Sequence, residues 1–419
     1  MHTLQPLRFP LAALLLAAGL AGAPASAAPP RHWQTAWISP SQPVWDDGFV
    51  LPLGMPRSLH DVTLRQALAT SVGGERLRLR VSNEGGRTPL RLGRASIRIE
   101  QGPKSLPITF EGADSAVLPP GVALLSDPVA LPTTAGQRLV VDLYLPQPVS
   151  LAGFHWDARD TTWLLRGDAT GRPTQGDEPS TTTRAFLSEL LVETALPTAA
   201  VVTIGDSITD GNGATPGRDQ RWPDHLGRRL APRGIAVLNA GISGNRLLHD
   251  GMGASALARF ERDALRHPGV RAVIVLLGTN DIGWPGGPFA PHEPAAHVPQ
   301  LTTALRQLVA QGHARGVRVI GATLPPFKDA LKGTPLEGHF SPAKEAARQA
   351  LNTWIRESAA FDAVVDMDAV LRDPQDPARL RAEFDSGDHL HPNDAGYRAM
   401  AAAVDLQALL GTRVREAVR

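Results

Sequence analysis

The sequence predicts a doubly wound α/β fold on a five-stranded parallel sheet, preceded by a β-sandwich domain. Three observations carry this reading. Beyond residue 198, apolar runs of strand length alternate with segments of helical spacing. Before residue 195, apolar and polar residues alternate one by one between Gly/Pro turns. A chain of 419 residues is also longer than one core ordinarily takes, which favours two domains.

Residues 1–27 read as a secretory signal peptide. Arg8 closes a weakly basic start, 9–23 is apolar but short for a bilayer, and Ala25-Ser26-Ala27 offers small residues for cleavage. The chain is therefore expected to be secreted or periplasmic, and its Ala-, Arg- and Pro-rich composition suits a bacterial source. No later apolar run is long enough for an integral membrane segment. A formal net charge of +1 gives no electrostatic ground for binding nucleic acid or an anionic membrane. With no cysteine, disulfides, thiolate catalysis and zinc–thiolate sites are excluded.

Residues 28–196 are expected to form the N-terminal β-sandwich domain. Leu77, Leu79 and Val81 alternate with Arg76, Arg78 and Arg80, and Ala95, Ile97 and Ile99 alternate with Ser96, Arg98 and Glu100. Leu139, Val141, Leu143 and Leu145 repeat the two-residue period, and 186–193 is a further candidate strand. Gly85-Gly86 and Pro119-Pro120-Gly121 supply turns. Five of the eight tryptophans (Trp33, Trp37, Trp45, Trp156, Trp163) fall here. Exposed, they would stack on a glycan; buried aromatics are the commoner case.

Residues 197–419 are expected to form the second domain. Its strand-length runs are 199–204, 235–239, 272–277, 317–323 and 363–367. Helical spacing marks 222–230, 256–266, 298–315, 342–358 and 394–410. Buried strands each followed by a helix imply a parallel sheet covered on both faces, with ligands at the carboxyl ends of the strands.

Chemistry-bearing residues cluster at those ends. Gly205-Asp206-Ser207-Ile208-Thr209 follows the first strand, and a serine there is a candidate nucleophile. Taken alone, Asp206 and Ser207 would more often simply cap a helix. Far downstream, Asp388-His389-Leu390-His391-Pro392 supplies a carboxylate and two histidines. An Asp three residues before a His can fix the imidazole tautomer and stabilise the imidazolium. Between these lie Gly241-Ile242-Ser243-Gly244-Asn245 and Gly278-Thr279-Asn280-Asp281.

These four blocks, in this order, resemble the SGNH (GDSL-type) serine hydrolases over roughly 199–410. The resemblance implies a three-layer α/β/α SGNH-type domain needing no metal or organic cofactor. It places the nucleophile at Ser207, the base at His391 before the proline, and the orienting carboxylate at Asp388. It places the oxyanion hole at the backbone N–H groups of Ser207 and Gly244 and the side-chain amide of Asn280. The Gly205–Thr209 block lacks the second glycine of the α/β-hydrolase elbow, which disfavours that fold. A second pattern, Thr63-Leu64-Arg65-Gln66, Ser71-Val72-Gly73-Gly74 and Arg80-Val81-Ser82-Asn83, is similar to the N-terminal region of secreted esterases associated with plant cell-wall breakdown.

Other signals are weaker. Gly211-Asn212-Gly213 lacks the Gly-Lys-Ser/Thr of a phosphate loop, and Asp210 with Asn212 does not continue as a calcium loop. His225, His249, His292, His297 and His339 show no metal-ligand spacing. The Pro-rich stretch 283–299 is expected to wall the cleft, with 333–341 as a second rim. Trp284 is a candidate for stacking on substrate or packing in the core, and Arg246 for contacting substrate or forming a salt bridge.

The expected activity is hydrolysis of short-chain acyl esters, acetyl foremost, on plant polysaccharides or oligosaccharides. An arylesterase or lysophospholipase acting on aryl or lipid esters would use the same machinery. So would a sugar O-acyltransferase, and a glycan-binding protein is the reading from another class.

Overall fold

The computed structural model describes residues 30–173, 176–196 and 198–411. The expected signal peptide at 1–27 lies outside the described residues.

The N-terminal part consists largely of antiparallel strands in two main sheets. One runs in the order His32–Ile38, Leu187–Thr194, Leu77–Ser82, Ala123–Leu125. The other runs Ser180–Thr181, Thr162–Arg166, Val62–Ala69, Arg138–Leu145, Ala95–Ile99, Leu106–Ile108. The two-residue period sorts side chains as expected: Leu77, Leu79 and Val81 point into the core, as do Leu139, Val141, Leu143 and Leu145. Leu64 and Leu68 sit opposite Leu143 and Leu139 and join the same buried cluster.

The residues of the second sequence pattern shape this part. Arg65 is fully buried and clasps Asp142 through two hydrogen bonds of 2.7 and 2.9 Å. Gln66 spans to the Ala185 carbonyl at 3.1 Å. The Asn83 amide bonds the carbonyls of Thr88, Leu118 and Pro119.

None of the five N-terminal tryptophans is exposed. The guanidiniums of Arg76 and Arg78 cover Trp33, that of Arg184 covers Trp37, and Trp45 packs against Phe49, Phe154 and Trp156.

After Thr194 the pairing changes from antiparallel to parallel. Five strands, Ala200–Gly205, Ala236–Gly241, Val270–Leu276, Arg318–Ala322 and Ala363–Val365, form one sheet in the order second, first, third, fourth, fifth. Their residues are almost all apolar and buried, as a sheet covered on both faces requires. The order reverses at the first strand, so the crevice opens where that strand meets the third. Gly205 pairs in register with Gly241 on one side and Leu276 on the other. Three chain segments therefore leave the sheet at one level.

Helices fall close to the expected spans at Trp222–Leu230, Val298–Ala314 and Pro342–Glu357. Two differ. The helix at 256–266 is a short α-helix, Ala256–Phe260, that widens into a π turn over Glu261–Leu265. The last helix is broken: Val404 is extended, and Asp405 caps a separate helix, Leu406–Leu410. Among the described residues no helix is long and apolar enough to cross a membrane.

Asp142→Ala would leave the Arg65 guanidinium buried without its anion, a loss on the order of 3–5 kcal/mol. Chemical denaturation should show this as a lower midpoint with an unchanged slope; a change within error would mean the pair contributes little.

Candidate active site

The chain leaves the first parallel strand at Gly205 and turns directly into a short helix, Ser207–Asp210. Asp206 caps it, accepting from the Ile208 N–H at 3.0 Å. Ser207 thus occupies the first helical position, where its own N–H has no partner within the helix. The second Asp206 oxygen is buried and unpartnered among the described residues. Burial pushes this carboxyl up to about 7.

His391 reaches the serine from the segment before the helix Asp394–Ala403. Its Nε2 lies 2.8 Å from Ser207 Oγ, and its Nδ1 lies 2.5 Å from Asp388 Oδ2. The two bonds define one proton line: Nδ1–H donates to the carboxylate, leaving Nε2 to accept from the hydroxyl. The other Asp388 oxygen accepts the N–H groups of Leu390 and His391 at 2.9 and 2.8 Å. Burial alone would raise the Asp388 carboxyl, but the hydrogen bond and charge of His391, with these N–H donors, hold it well below the usual carboxylate range. His389 faces elsewhere: it is half-exposed, adopts a φ of +61°, and bonds Asp385.

Gly244 and Asn280 emerge beside Ser207 because the second and third strands end level with the first. Gly244 has a φ of +70°, and a Cβ there would collide with Met252 and Trp284. Its N–H donates to no group among the described residues. The Asn280 amide spends one hydrogen on the Asn245 carbonyl at 3.0 Å, leaving the second to donate. Both donors thus sit on blocks that leave the sheet level with Ser207.

Buried polar struts fix the blocks relative to one another. Asp210 accepts the N–H and hydroxyl of Ser243 at 2.9 and 2.8 Å with one oxygen, while its other oxygen meets His155 at 2.9 Å. The second His155 nitrogen meets the Pro40 carbonyl at 2.9 Å. With an acceptor at both ring nitrogens, only the imidazolium satisfies both contacts. Burial opposes that charge, but Asp210 outweighs it and the histidine's pKa is raised. Arg259, fully buried, bonds the Gly205 and Ala240 carbonyls and the Asn245 side chain at 3.1, 2.8 and 2.9 Å. Asp281 accepts the N–H groups of Leu247 and Leu248 at 2.8 and 3.0 Å, tying the third block to the second.

The two candidate substrate contacts are buried and engaged with other side chains. Trp284 is 4% exposed, stacked on Phe289 at 4.5 Å and covered by the Arg246 guanidinium at 5.1 Å. Arg246 is 5% exposed, pairs with Glu293 at 2.6 Å and bonds the Asp250 carbonyl. Phe289 and Glu293, like Trp284 itself, belong to the Pro-rich stretch 283–299.

Sequence reading did not single out His155, Arg259 or Met252, and it set Asp210 aside as a failed calcium ligand. His339 joins them. Its imidazole is buried edge-on to Phe327 at 5.3 Å, and its pKa is driven down to about 3 by burial, then by Lys344 and His391. Each contact is long-range, and no local motif announces it.

Two outcomes follow. An unfolded Asp titrates near about 3.9, so the raised Asp206 value means that folding stability falls as pH rises from about 4 towards 7. Asp206→Asn lacks this loss, so its melting temperature should gain on wild type between about pH 5 and about pH 8; a constant gap would show that Asp206 stays ionised. Gly244→Ala should lower kcat about a hundredfold or more by displacing one donor. Steady-state kinetics on p-nitrophenyl acetate reads this directly, and a near-normal kcat would remove Gly244 from the site.

Residues 203–399 match the model of the GDSL-like Lipase/Acylhydrolase family. Similar solved structures include a GDSL-like lipase from Bacteroides thetaiotaomicron, 21% identical over 49% of this chain and 84% of that one (TM-score 0.36). Another is Est24, a carbohydrate acetylesterase from Sinorhizobium meliloti, 18% identical over 49% of this chain and 96% of that one (TM-score 0.38). The acetyl xylan esterase AlAXEase is 18% identical over 49% of this chain and 96% of its own (TM-score 0.35). A search of curated proteins gives no match. Residues 203–399, just under half of the chain, therefore form a GDSL-like lipase/acylhydrolase domain, the kind of domain that carboxylic ester hydrolases carry.

Proposed function

We propose that this chain is an exported serine esterase that removes short acyl groups, acetyl foremost, from plant polysaccharides or oligosaccharides. In this reading residues 1–27 are a cleaved leader, 28–196 the β domain and 197–419 the hydrolase domain. The observation that carries the chemistry is the unbroken hydrogen-bonded line from Ser207 Oγ through His391 to Asp388.

Ser207 attacks the acyl carbonyl as His391 Nε2 takes its proton. Asp388 holds the imidazole in place and stabilises the imidazolium. The carbonyl oxygen, now negative, faces the N–H groups of Ser207 and Gly244 and the Asn280 amide, each worth about 3 kcal/mol at the transition state. His391 then returns the proton to the departing alcohol. Water, deprotonated by the same imidazole, attacks the acyl-enzyme and releases the acid and Ser207. The preference for a short acyl group is supported by Met252 and Trp284, which fill the space against Gly244. The preference for a cell-wall carbohydrate rests on the likeness of the 63–83 segment to secreted esterases.

Ser207→Ala should cut p-nitrophenyl acetate turnover by about a thousandfold or more while circular dichroism stays unchanged; full activity would refute the nucleophile. Across p-nitrophenyl esters, rates should fall sharply beyond propionate, and acetylated xylan or pectin should release acetate. Efficient cleavage of long-chain or lipid esters would instead point to a lysophospholipase.

A further inference from the structure

A second cleft, of about 580 Å³, lies between the N-terminal strands and the helix Trp222–Leu230. Segments 36–40, 69–71 and 134–136 form one wall, and neither Ser207 nor His391 lines it. Its volume falls within the range of about 300–1,000 Å³ usual for small-molecule sites.

The charges lining this cleft are nearly all matched. Asp210 is bonded to His155 and Ser243. Asp224 pairs with Arg221 at 2.8 Å, and Asp219 with Arg138 at 2.9 Å. Arg228, at the outer edge, bonds the Asp219 carbonyl at 2.9 Å. Among the buried charges Arg184 is the exception. It is 2% exposed and stacks on Trp37 at 4.8 Å, and its Nη2 donates to the Ala67 carbonyl at 2.6 Å. Its Nε and Nη1 are buried and have no hydrogen-bond partner among the described residues. The acid that partly offsets its charge, Asp160, hydrogen-bonds Arg138 instead, at 2.7 Å. Burial pushes the Arg184 guanidinium down to about 10.

A buried guanidinium without a bonded anion is costly, and a carboxylate matches its planar fork better than any other small group. We propose that this cleft is a second ligand site, in which Arg184 receives the carboxylate of a small organic acid. Two sources share that chemistry: a uronic acid, free or at the end of an oligosaccharide, and a short aliphatic acid of the kind an esterase releases. The site stands on Arg184 and the cleft, independently of the ester that Ser207 cleaves.

The test is calorimetric titration of the full chain with glucuronate, acetate and glucose. Two variants accompany it: Arg184→Gln, and Ala135→Trp, which fills the cleft from an exposed position. At least one acid should bind wild type while glucose does not, and both variants should weaken that binding at least about tenfold. Ala135→Trp should retain p-nitrophenyl acetate hydrolysis, which separates loss at this cleft from loss of fold or of product binding beside Ser207. Glucuronate alone would identify the uronate, and acetate alone the short acid. Binding no stronger than that of glucose, or undiminished in Ala135→Trp, would overturn the proposal whatever the esterase assays give.

Discussion

The arrangement around Ser207 depends on one buried carboxylate, Asp210. It ends the nucleophile helix, holds the Ser243 backbone and hydroxyl with one oxygen, and binds His155 from the N-terminal strands with the other. A carboxylate removed from water needs such partners to stay charged, and each partner is fixed in return. The Ser207 hydroxyl and the Gly244 N–H are thereby held at a set spacing by an ion pair outside the reacting groups. Gln42 and Trp45 add a second brace, both donating to the Met252 carbonyl at 2.9 and 2.8 Å. Met252 in turn packs where a side chain on Gly244 would lie.

The parallel sheet supplies the level on which this bracing acts. The first three strands finish in register, so their loops need only short reaches to converge. Arg259 locks two of those strand ends to the Asn245 block, and the π turn that follows widens the helix carrying it. His391 arrives from the far end of the chain and is aligned by Asp388, itself held by two backbone N–H groups.

Much of the hydrolase half was legible in the sequence, because continuous apolar runs and helical spacing are local signals. The meeting of Ser207, His391 and Asp388 was legible for a different reason: short motifs mark strand ends, and strand ends in such sheets converge. The residues that hold the motifs in place were not. His155, Arg259 and Asp210 look like ordinary polar residues until the fold brings 55 and 54 positions of sequence separation together in the His155–Asp210 and Arg259–Gly205 bonds. For Trp284 and Arg246, where the sequence left two roles open, the structure shows core packing and a salt bridge. An aromatic and a cation beside a reactive block suggest ligand contacts, whereas here each satisfies the other and Phe289 closes the stack.

The Asp210–His155 bond also bears on modularity. A fragment cut at residue 197 would keep all four sequence blocks, yet it would lose the histidine that neutralises Asp210 and the two donors that seat Met252. The N-terminal strands thus brace the segments around Ser207 and are not a detachable accessory. Grafting this hydrolase half onto another carrier would require supplying a cation at that buried acid.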